Sequence, residues 1–308
     1  MIENQCLDAI KNTIEPAGLP IQTAVILAAG RGVRMGARGK LMPKGCLRLG
    51  DKTIVEESIL RLLEVGIERI VIVTGHLAEQ FEPLQDQYND IVELVHNPHF
   101  ADSGTLYSLY CARYRVQESF LLLEADILYE PLALTTCLDS PSDNVVLLSG
   151  LSETSDECFV ETQNGQLRAI SKNRDILGSE VLGEMVGISK ISTSLFAVML
   201  DTAEQRFSRT RHLDYETDWL VSAAMNAPIS CPVVEQLVWC EIDDDTHLYR
   251  AKYEIYPALQ FRGLDRDQPG KNPRQGSLGG LAITNDKCSS RFTLRARELS
   301  SLGKAAGA

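Results

Sequence analysis

No apolar run in this chain approaches the length of a bilayer. The longest, Ala24-Val25-Ile26-Leu27-Ala28-Ala29 and Phe120-Leu121-Leu122-Leu123, fall far short of the roughly 20 residues that a spanning helix needs. The opening segment mixes Glu3, Asp8, Lys11 and Glu15 among its apolar residues, a pattern no signal peptide shows. A cytoplasmic protein with no membrane partner is therefore expected. Cation is also scarce: 30 Lys plus Arg face 42 Asp plus Glu, for a formal charge of -12. Sequence-independent nucleic-acid binding needs an excess of cation, so that deficit argues against it. The eight cysteines include no C-x-x-C pair, which leaves neither a zinc ribbon nor a dithiol redox site to be read. Reduced thiols are expected, several packed as small apolar groups.

The composition that is present is globular. Of 308 residues, 44% are hydrophobic and 23% charged, enough chain for one large domain or two small ones. Charge is unevenly spread: the 47 residues from Arg262 onward hold nine Lys plus Arg and four Asp plus Glu, which leaves the remainder at -17. An acidic body thus carries a basic tail. Ile2, Cys6, Ile10 and Ile14 recur at helical spacing before Pro16 and Gly18, predicting a leader helix within residues 1–21. The body is expected over 22–261. From 262 to 308 periodicity gives way to Gly, Ser, Asn, Pro and Arg, a composition that buries too little apolar surface to offset the entropy of ordering it.

Between leader and tail, short apolar strands alternate with amphipathic stretches. Strands are expected at 24–28, 69–74, 91–95, 120–124 and 145–148, and helices at 53–65, 77–85 and 106–114. That rhythm predicts an α/β fold, a Rossmann-like open and mostly parallel sheet with helices on both faces. Apolar runs at 159–162 and 166–170 flank Asn164-Gly165, both of which accept positive φ, so a small antiparallel hairpin interrupts the series. Helices at 193–207, 214–225 and 244–255 and strands at 233–234 and 238–242 complete the expected order. No internal repeat is present.

The first strand runs into Leu27-Ala28-Ala29-Gly30-Arg31-Gly32-Val33-Arg34-Met35-Gly36, and the loop continues to Pro43-Lys44. Small residues let backbone amides approach phosphates, and Arg31, Lys40 and Lys44 supply cations. The spacing matches neither a P-loop nor a completed dinucleotide fingerprint, since Met35 stands where a third glycine would. On those glycines alone, a flexible surface turn is a competing reading. The whole string, L-A-A-G-x-G-x-R-M followed by P-K and an amphipathic helix, closely resembles the signature loop of the nucleotidyltransferases that make nucleotide-activated sugars and alcohols. The fold that resemblance implies is the nucleotide-diphospho-sugar transferase type. It also implies that Leu27, Ala28, Ala29, Gly30 and Gly32 line the nucleotide, that Arg31 clasps the triphosphate, and that Lys44 meets the α-phosphate or the acceptor.

Two acidic segments are candidates for a metal. Asp126 follows the apolar strand at 120–124, at the carboxyl end where open α/β sheets bind ligands, and Glu241-Ile242-Asp243 follows a late strand. Each also reads as a helix cap. The family resemblance assigns Mg²⁺ to Asp126 and Asp243, with Glu241 as a further ligand or a supporting partner. W-C-E-I-D at 239–243, S-G-T-L-Y at 103–107, L-L-E-A-D at 122–126 and G-I-S-K at 187–190 resemble the CTP-using members that activate phosphocholine or 2-aminoethylphosphonate, including domains fused to phosphoenolpyruvate mutase. Relatives often carry Asn where Ser103-Gly104 stands, so the acceptor stays open. Thr74, Gly75, Ser103, Gly104 and Thr105 are the candidate base and ribose contacts, and Lys172 could grip the acceptor's anionic group. Tyr129, Glu184, Tyr215, Glu216 and Trp219 fall in the segments that cover the acceptor in those relatives. His212, Asp214 and Tyr215, without a spaced nucleophile, read as a helix start.

The implied activity is Mg²⁺-dependent transfer of CMP from CTP to a small phosphonate or phosphoalcohol, with release of pyrophosphate. A sugar-1-phosphate nucleotidyltransferase using another nucleotide, or a catalytically silent nucleotide-binding regulator, is the alternative. Expected partners are CTP and the acceptor, with a homo-oligomer left open.

Overall fold

The structure, a computed structural model, describes residues 20–152 and 158–266. Most of the expected leader helix, and the tail from residue 267 on, lie outside the described residues. The chain divides into two compact units, Met1–Leu264 and Asp265–Ala308; the sheet and the helices that cover it belong to the first.

The parallel framework consists of β1 (Thr23–Ala28), β2 (Arg69–Thr74), β3 (Val92–His96) and β4 (Phe120–Glu124). β1 lies between β2 and β4, parallel to both, and β2 pairs in parallel with β3. Every residue of β1 is buried, which explains its continuous apolar reading: both faces of a parallel sheet are covered. Its side chains alternate between two cores. Val25 and Leu27 join one, with Leu106, Phe120 and Phe196; Ala24, Ile26 and Ala28 join the other, with Val55, Ile59 and Leu62. The helix Ile54–Glu64 carries those last three residues. It begins where the sequence says it should, because Thr53 accepts from the Glu56 amide while Glu56 accepts from the Thr53 amide, a capping box. The helix expected over 77–85 is a tight turn at Ala78–Phe81 followed by helix Glu82–Gln87. Pro83 in the first turn favours that restart.

Next come β5 (Ile127–Tyr129), β6 (Val145–Ser149), β7 (Phe159–Gln163) and β8 (Gln166–Ser171). The expected hairpin is β7–β8, turning at Asn164 and Gly165 with φ of 54° and 73°. The sequence reading missed β9 (Val181–Ile191), an eleven-residue strand that runs antiparallel between β4 and β6. Its interior is buried on both sides, so it lacks the polar alternation that marks a half-exposed strand. Gly187 gives it a bend: φ is 79°, the pairing with β6 shifts register between Val146 and Leu148, and a Cβ there would lie 3.1 Å from the Glu124 carboxyl carbon.

The edge strand β10 (Val233–Val234) pairs in parallel with β6, giving the order β10-β6-β9-β4-β1-β2-β3. β11 (Trp239–Glu241) leaves that sheet and pairs antiparallel with β5. The segment expected as one helix over 214–225 opens as a wide π-type turn, Tyr215–Leu220, before Val221–Ala224. The last helix, expected over 244–255, runs further than the sequence pattern suggests. Helical structure continues through Tyr256–Arg266, Leu259 is buried, and the Arg262 guanidinium donates to Glu130 at 2.6 Å. The helix anchors itself through that apolar face and ion pair, features a composition count does not register. Among the described residues, no helix is long and apolar enough to cross a membrane.

Candidate active site

A cavity of about 430 Å³ opens at the carboxyl ends of β1 and β4, where open α/β sheets present their ligand crevices. One wall is the loop leaving β1: Leu27, Ala28, Ala29, Gly30, Gly32, Val33 and Arg34 all line it. Gly32 adopts a left-handed φ of 57° and opens the short turn Val33–Met35. Met35 is anchored in a third apolar cluster with Leu47, Leu128 and Ile242. Pinning Met35 directs its neighbour Arg34 towards the cavity.

Lys44 enters from the turn Lys44–Cys46, after the extended Pro43. Its ammonium donates to Asp126 Oδ2 at 2.6 Å and to Asp243 Oδ1 at 2.5 Å, and Arg34 Nη2 lies 2.6 Å from the same Asp243 oxygen. These two carboxylates meet because β5 and β11 are antiparallel. Glu241 pairs with Ile127, and the Ile242 amide donates to the Asp126 carbonyl at 2.9 Å. Asp126 just before β5 and Asp243 just after β11 therefore reach the same place. Asp243 is only 1% exposed. Burial pushes its carboxyl up, but Lys44 and Arg34 outweigh that and hold it below its ordinary value. Burial likewise pulls the Lys44 ammonium down, and Asp126 and Asp243 reverse the direction, leaving it raised.

More carboxylates crowd the floor. Glu124 accepts a hydrogen bond from the Tyr215 hydroxyl at 2.9 Å, and Glu216 accepts one from Thr105 Oγ1 at 3.1 Å. Burial raises Glu124 well above the usual carboxylate range, with Glu216 and Asp126 adding repulsion. Glu216 is pushed up to about 7, chiefly by burial. Burial, then Asp126, Glu124 and Asp243, push Glu241 up to about 10. Carboxylate oxygens of Glu124, Asp126 and Glu241 lie within 4.8 Å of one another. Half-buried, mutually repelling hard oxygen donors of this kind fit Mg²⁺, which relieves the repulsion and needs only one or two protein carboxylates.

Most of the loop and strand-end residues expected from the sequence are brought together: Ser103, Gly104, Thr105, Lys172, Glu241, Asp126 and Asp243 line the cavity with the β1 loop and Lys44. Several others are not. Arg31 is exposed and outside the lining, with Arg34 in the place foreseen for it. Thr74 is buried, its hydroxyl donating to the Val95 carbonyl, and Gly75 packs against Phe100 and the Ala29 carbonyl. Both support the loop from outside the cavity. Of the expected acceptor contacts, Glu216 lines the cavity and the other four do not. Tyr129 and Trp219 are core residues of opposite sheet faces. Tyr215 is fully buried and reaches the site indirectly, its hydroxyl donating to Glu124 and its amide to Thr105 Oγ1. Glu184 is buried, accepting from the Ser152 amide. Asp243 is not one of the three grouped carboxylates and is held instead by Lys44 and Arg34.

The sequence reading missed Arg34, Glu124 and Phe100 as lining residues and gave Asp214 only a helix start. Asp214 accepts from the Thr105 amide and hydroxyl, both at 3.3 Å, so it caps the helix Thr105–Cys111 from a distant segment. Spacing along one chain cannot reveal that contact. Glu124 carried a signal, ending the same buried strand that delivers Asp126.

A glycine-rich loop, three basic side chains and a carboxylate floor, gathered at the carboxyl ends of a doubly covered sheet, are what a site for nucleoside-triphosphate chemistry needs. Comparison with known proteins agrees. A family model described as a MobA-like NTP transferase domain matches residues 24–165. The chain is 30% identical over 251 residues to the 2-aminoethylphosphonate cytidylyltransferase of Lancefieldella rimae, covering 79% of this chain and 87% of that one. It is 25% identical over 245 residues to the bifunctional IPC transferase and DIPP synthase of Aquifex aeolicus, where the match covers 79% of this chain but spans only 54% of the relative. The inositol-1-phosphate CTP transferase of T. maritima shares the fold, with a TM-score of 0.67, 20% identity, and coverage of 79% and 97%. The chain belongs to the same nucleotidyltransferase family as that Lancefieldella enzyme, with the MobA-like NTP transferase domain matched over residues 24–165.

Proposed function

We propose that this protein transfers CMP from CTP to an anionic oxygen of a small phosphonate or phosphate that bears a primary ammonium group, 2-aminoethylphosphonate being the model acceptor, and releases pyrophosphate. The observation that carries this reading is the composition of one cavity. Arg34, Lys44 and Lys172 can meet phosphate and phosphonate groups, while Glu124 and Glu216 can accept from an ammonium. Among the described residues, Phe100 is the one aromatic side chain in the lining, short of the aromatic cage that suits quaternary ammonium groups such as choline. The name of the Lancefieldella relative supports the same acceptor class.

The acceptor oxygen is already anionic at neutral pH, so attack on the α-phosphorus requires no general base and no covalent enzyme intermediate. The protein contributes position and charge. Backbone of the loop from Ala28 to Gly32 holds the nucleotide, Arg34 offsets triphosphate charge, and Lys172 at the exit of β8 orients the acceptor anion. Burial pulls the Lys172 ammonium down, but Cys158, Glu241 and Asp243 raise it overall, so it stays cationic. A divalent cation held by Asp126 with Glu124, Glu241 or Asp243 would neutralise phosphate charge.

Pyrophosphate release measured across the four NTPs and a panel of aminoalkylphosphonates, phosphocholine and sugar 1-phosphates tests this. CTP with an aminoalkylphosphonate should give the highest kcat/KM; preference for UTP with a sugar 1-phosphate would replace the proposal with the sugar-nucleotide reading. Glu216→Gln should raise KM for the amine-bearing acceptor by about ten- to a hundredfold, the cost of losing a charge-assisted hydrogen bond, and leave KM for CTP nearly unchanged. Equal effects on both would place Glu216 away from the ammonium.

A further inference from the structure

Lys44 is committed to carboxylates that the nucleotidyl-transfer chemistry needs for something else. Its ammonium sits between Asp126 and Asp243 at 2.6 and 2.5 Å, with its side chain 17% exposed. Those two residues come from chain segments more than a hundred residues apart, joined by β5 and β11, so the contact is a consequence of the fold. With two of its three N–H donors on carboxylates, a lysine so placed keeps one for a phosphate, and must leave at least one carboxylate to give a phosphate more than that. A divalent cation that used both Asp126 and Asp243 would compete for the oxygens Lys44 holds.

We propose that Lys44 is a resident counter-ion, occupying Asp126 and Asp243 in the nucleotide-free protein and drawn off them by the incoming triphosphate. Nucleotide and divalent cation then bind with positive coupling. The inference rests on the nucleotidyl-transfer reading above for the identity of the polyanion. Its physical basis is charge balance. With Lys44 in place, the half-buried carboxylates Glu124, Asp126 and Glu241 and the buried Asp243 are partly neutralised without metal. Once Lys44 moves to a phosphate, Arg34 is the lining cation still paired with Asp243, and the group gains affinity for a divalent ion. Because linkage is reciprocal, a cation bound first would release Lys44 and strengthen nucleotide binding by the same factor. Lys44 is in this respect a positioning residue for the metal carboxylates, besides any contact with phosphate.

The test is Mn²⁺ binding to the nucleotide-free protein, read from the free-ion signal in electron paramagnetic resonance. Wild type, Lys44→Gln and Lys44→Arg are compared, with thermal melting in parallel. Lys44→Gln should bind Mn²⁺ at least about tenfold more tightly than wild type, since a close competing cation is gone, and should melt lower without metal but gain more from Mn²⁺. Lys44→Arg keeps the charge and should stay near wild type. A lysine with only a structural role would instead give a Gln variant whose metal affinity is unchanged or reduced, and that result overturns the proposal. If Lys44→Gln does not fold, Lys44→Met is measured against the same expectation. Failure of CTP to bind with or without Mn²⁺ would reject the nucleotidyl-transfer reading, while the nucleotide-free comparison would still decide whether Lys44 competes with metal.

Discussion

Replacing Asp126 with alanine is expected to lower turnover by at least about a hundredfold while leaving a folded protein. The size follows from the side chain's two connections. Asp126 is the residue common to the Lys44 bridge and to the three-carboxylate group with Glu124 and Glu241. Its loss therefore removes a metal-capable oxygen and at the same time frees Lys44 to lean wholly on Asp243. The fold should survive because what Asp126 gives to the β5–β11 junction is its backbone carbonyl, which accepts from the Ile242 amide, and alanine keeps that carbonyl. Pyrophosphate release under saturating CTP and acceptor, with a melting curve as the control, checks both halves. Asp126→Asn, which preserves shape and removes charge, should lose nearly as much; turnover above about a tenth of wild type in either variant would refute the assignment of the metal to this carboxylate.

The parts of the site that were legible in the sequence are those written in consecutive residues. The β1 loop could be read because small residues, glycines and cations follow one apolar strand without interruption, and its residues from Leu27 to Gly32 apart from Arg31 do line the cavity. Asp126 could be read because it ends a run of buried residues. The helix at Ile54–Glu64 announced its first turn through Thr53 and Glu56. What failed was tertiary. β9 carries no strand alternation because it is buried between β4 and β6, and its bend at Gly187 sits against the Glu124 side chain, a neighbour distant in the sequence. The acceptor contacts were assigned by segment, yet in the π-type turn Glu216 faces the cavity, while Tyr215 and Trp219 point into the core. A turn of unusual pitch shifts which residue faces inward, and only the packed structure fixes it.

The same distinction separates two arginines three positions apart, and it yields the second large effect. Arg34→Ala is expected to reduce kcat/KM for CTP by about a hundred- to a thousandfold, the range seen when a preorganised charge at a reacting phosphate or oxyanion is removed, whereas Arg31→Ala should change it by less than about threefold. Composition cannot choose between them: both lie in the glycine-rich loop and both are exposed at the surface. Geometry does choose. The left-handed Gly32 and the buried Met35 fix the turn between them, so that Arg34 lines the cavity and reaches Asp243 while Arg31 lies outside the lining. Arg34 also shares the Asp243 oxygen with Lys44, so its removal should be felt in metal affinity as well as in CTP affinity, a pattern that a phosphate contact alone would not produce. Steady-state kinetics with varied CTP, paired with Mn²⁺ titration of each variant, measures both. Were Arg31→Ala the more damaging replacement, the loop would have to rearrange on nucleotide binding until Arg31, and not Arg34, faced the phosphates. The turn anchored by Met35 would then be a feature of the nucleotide-free protein only.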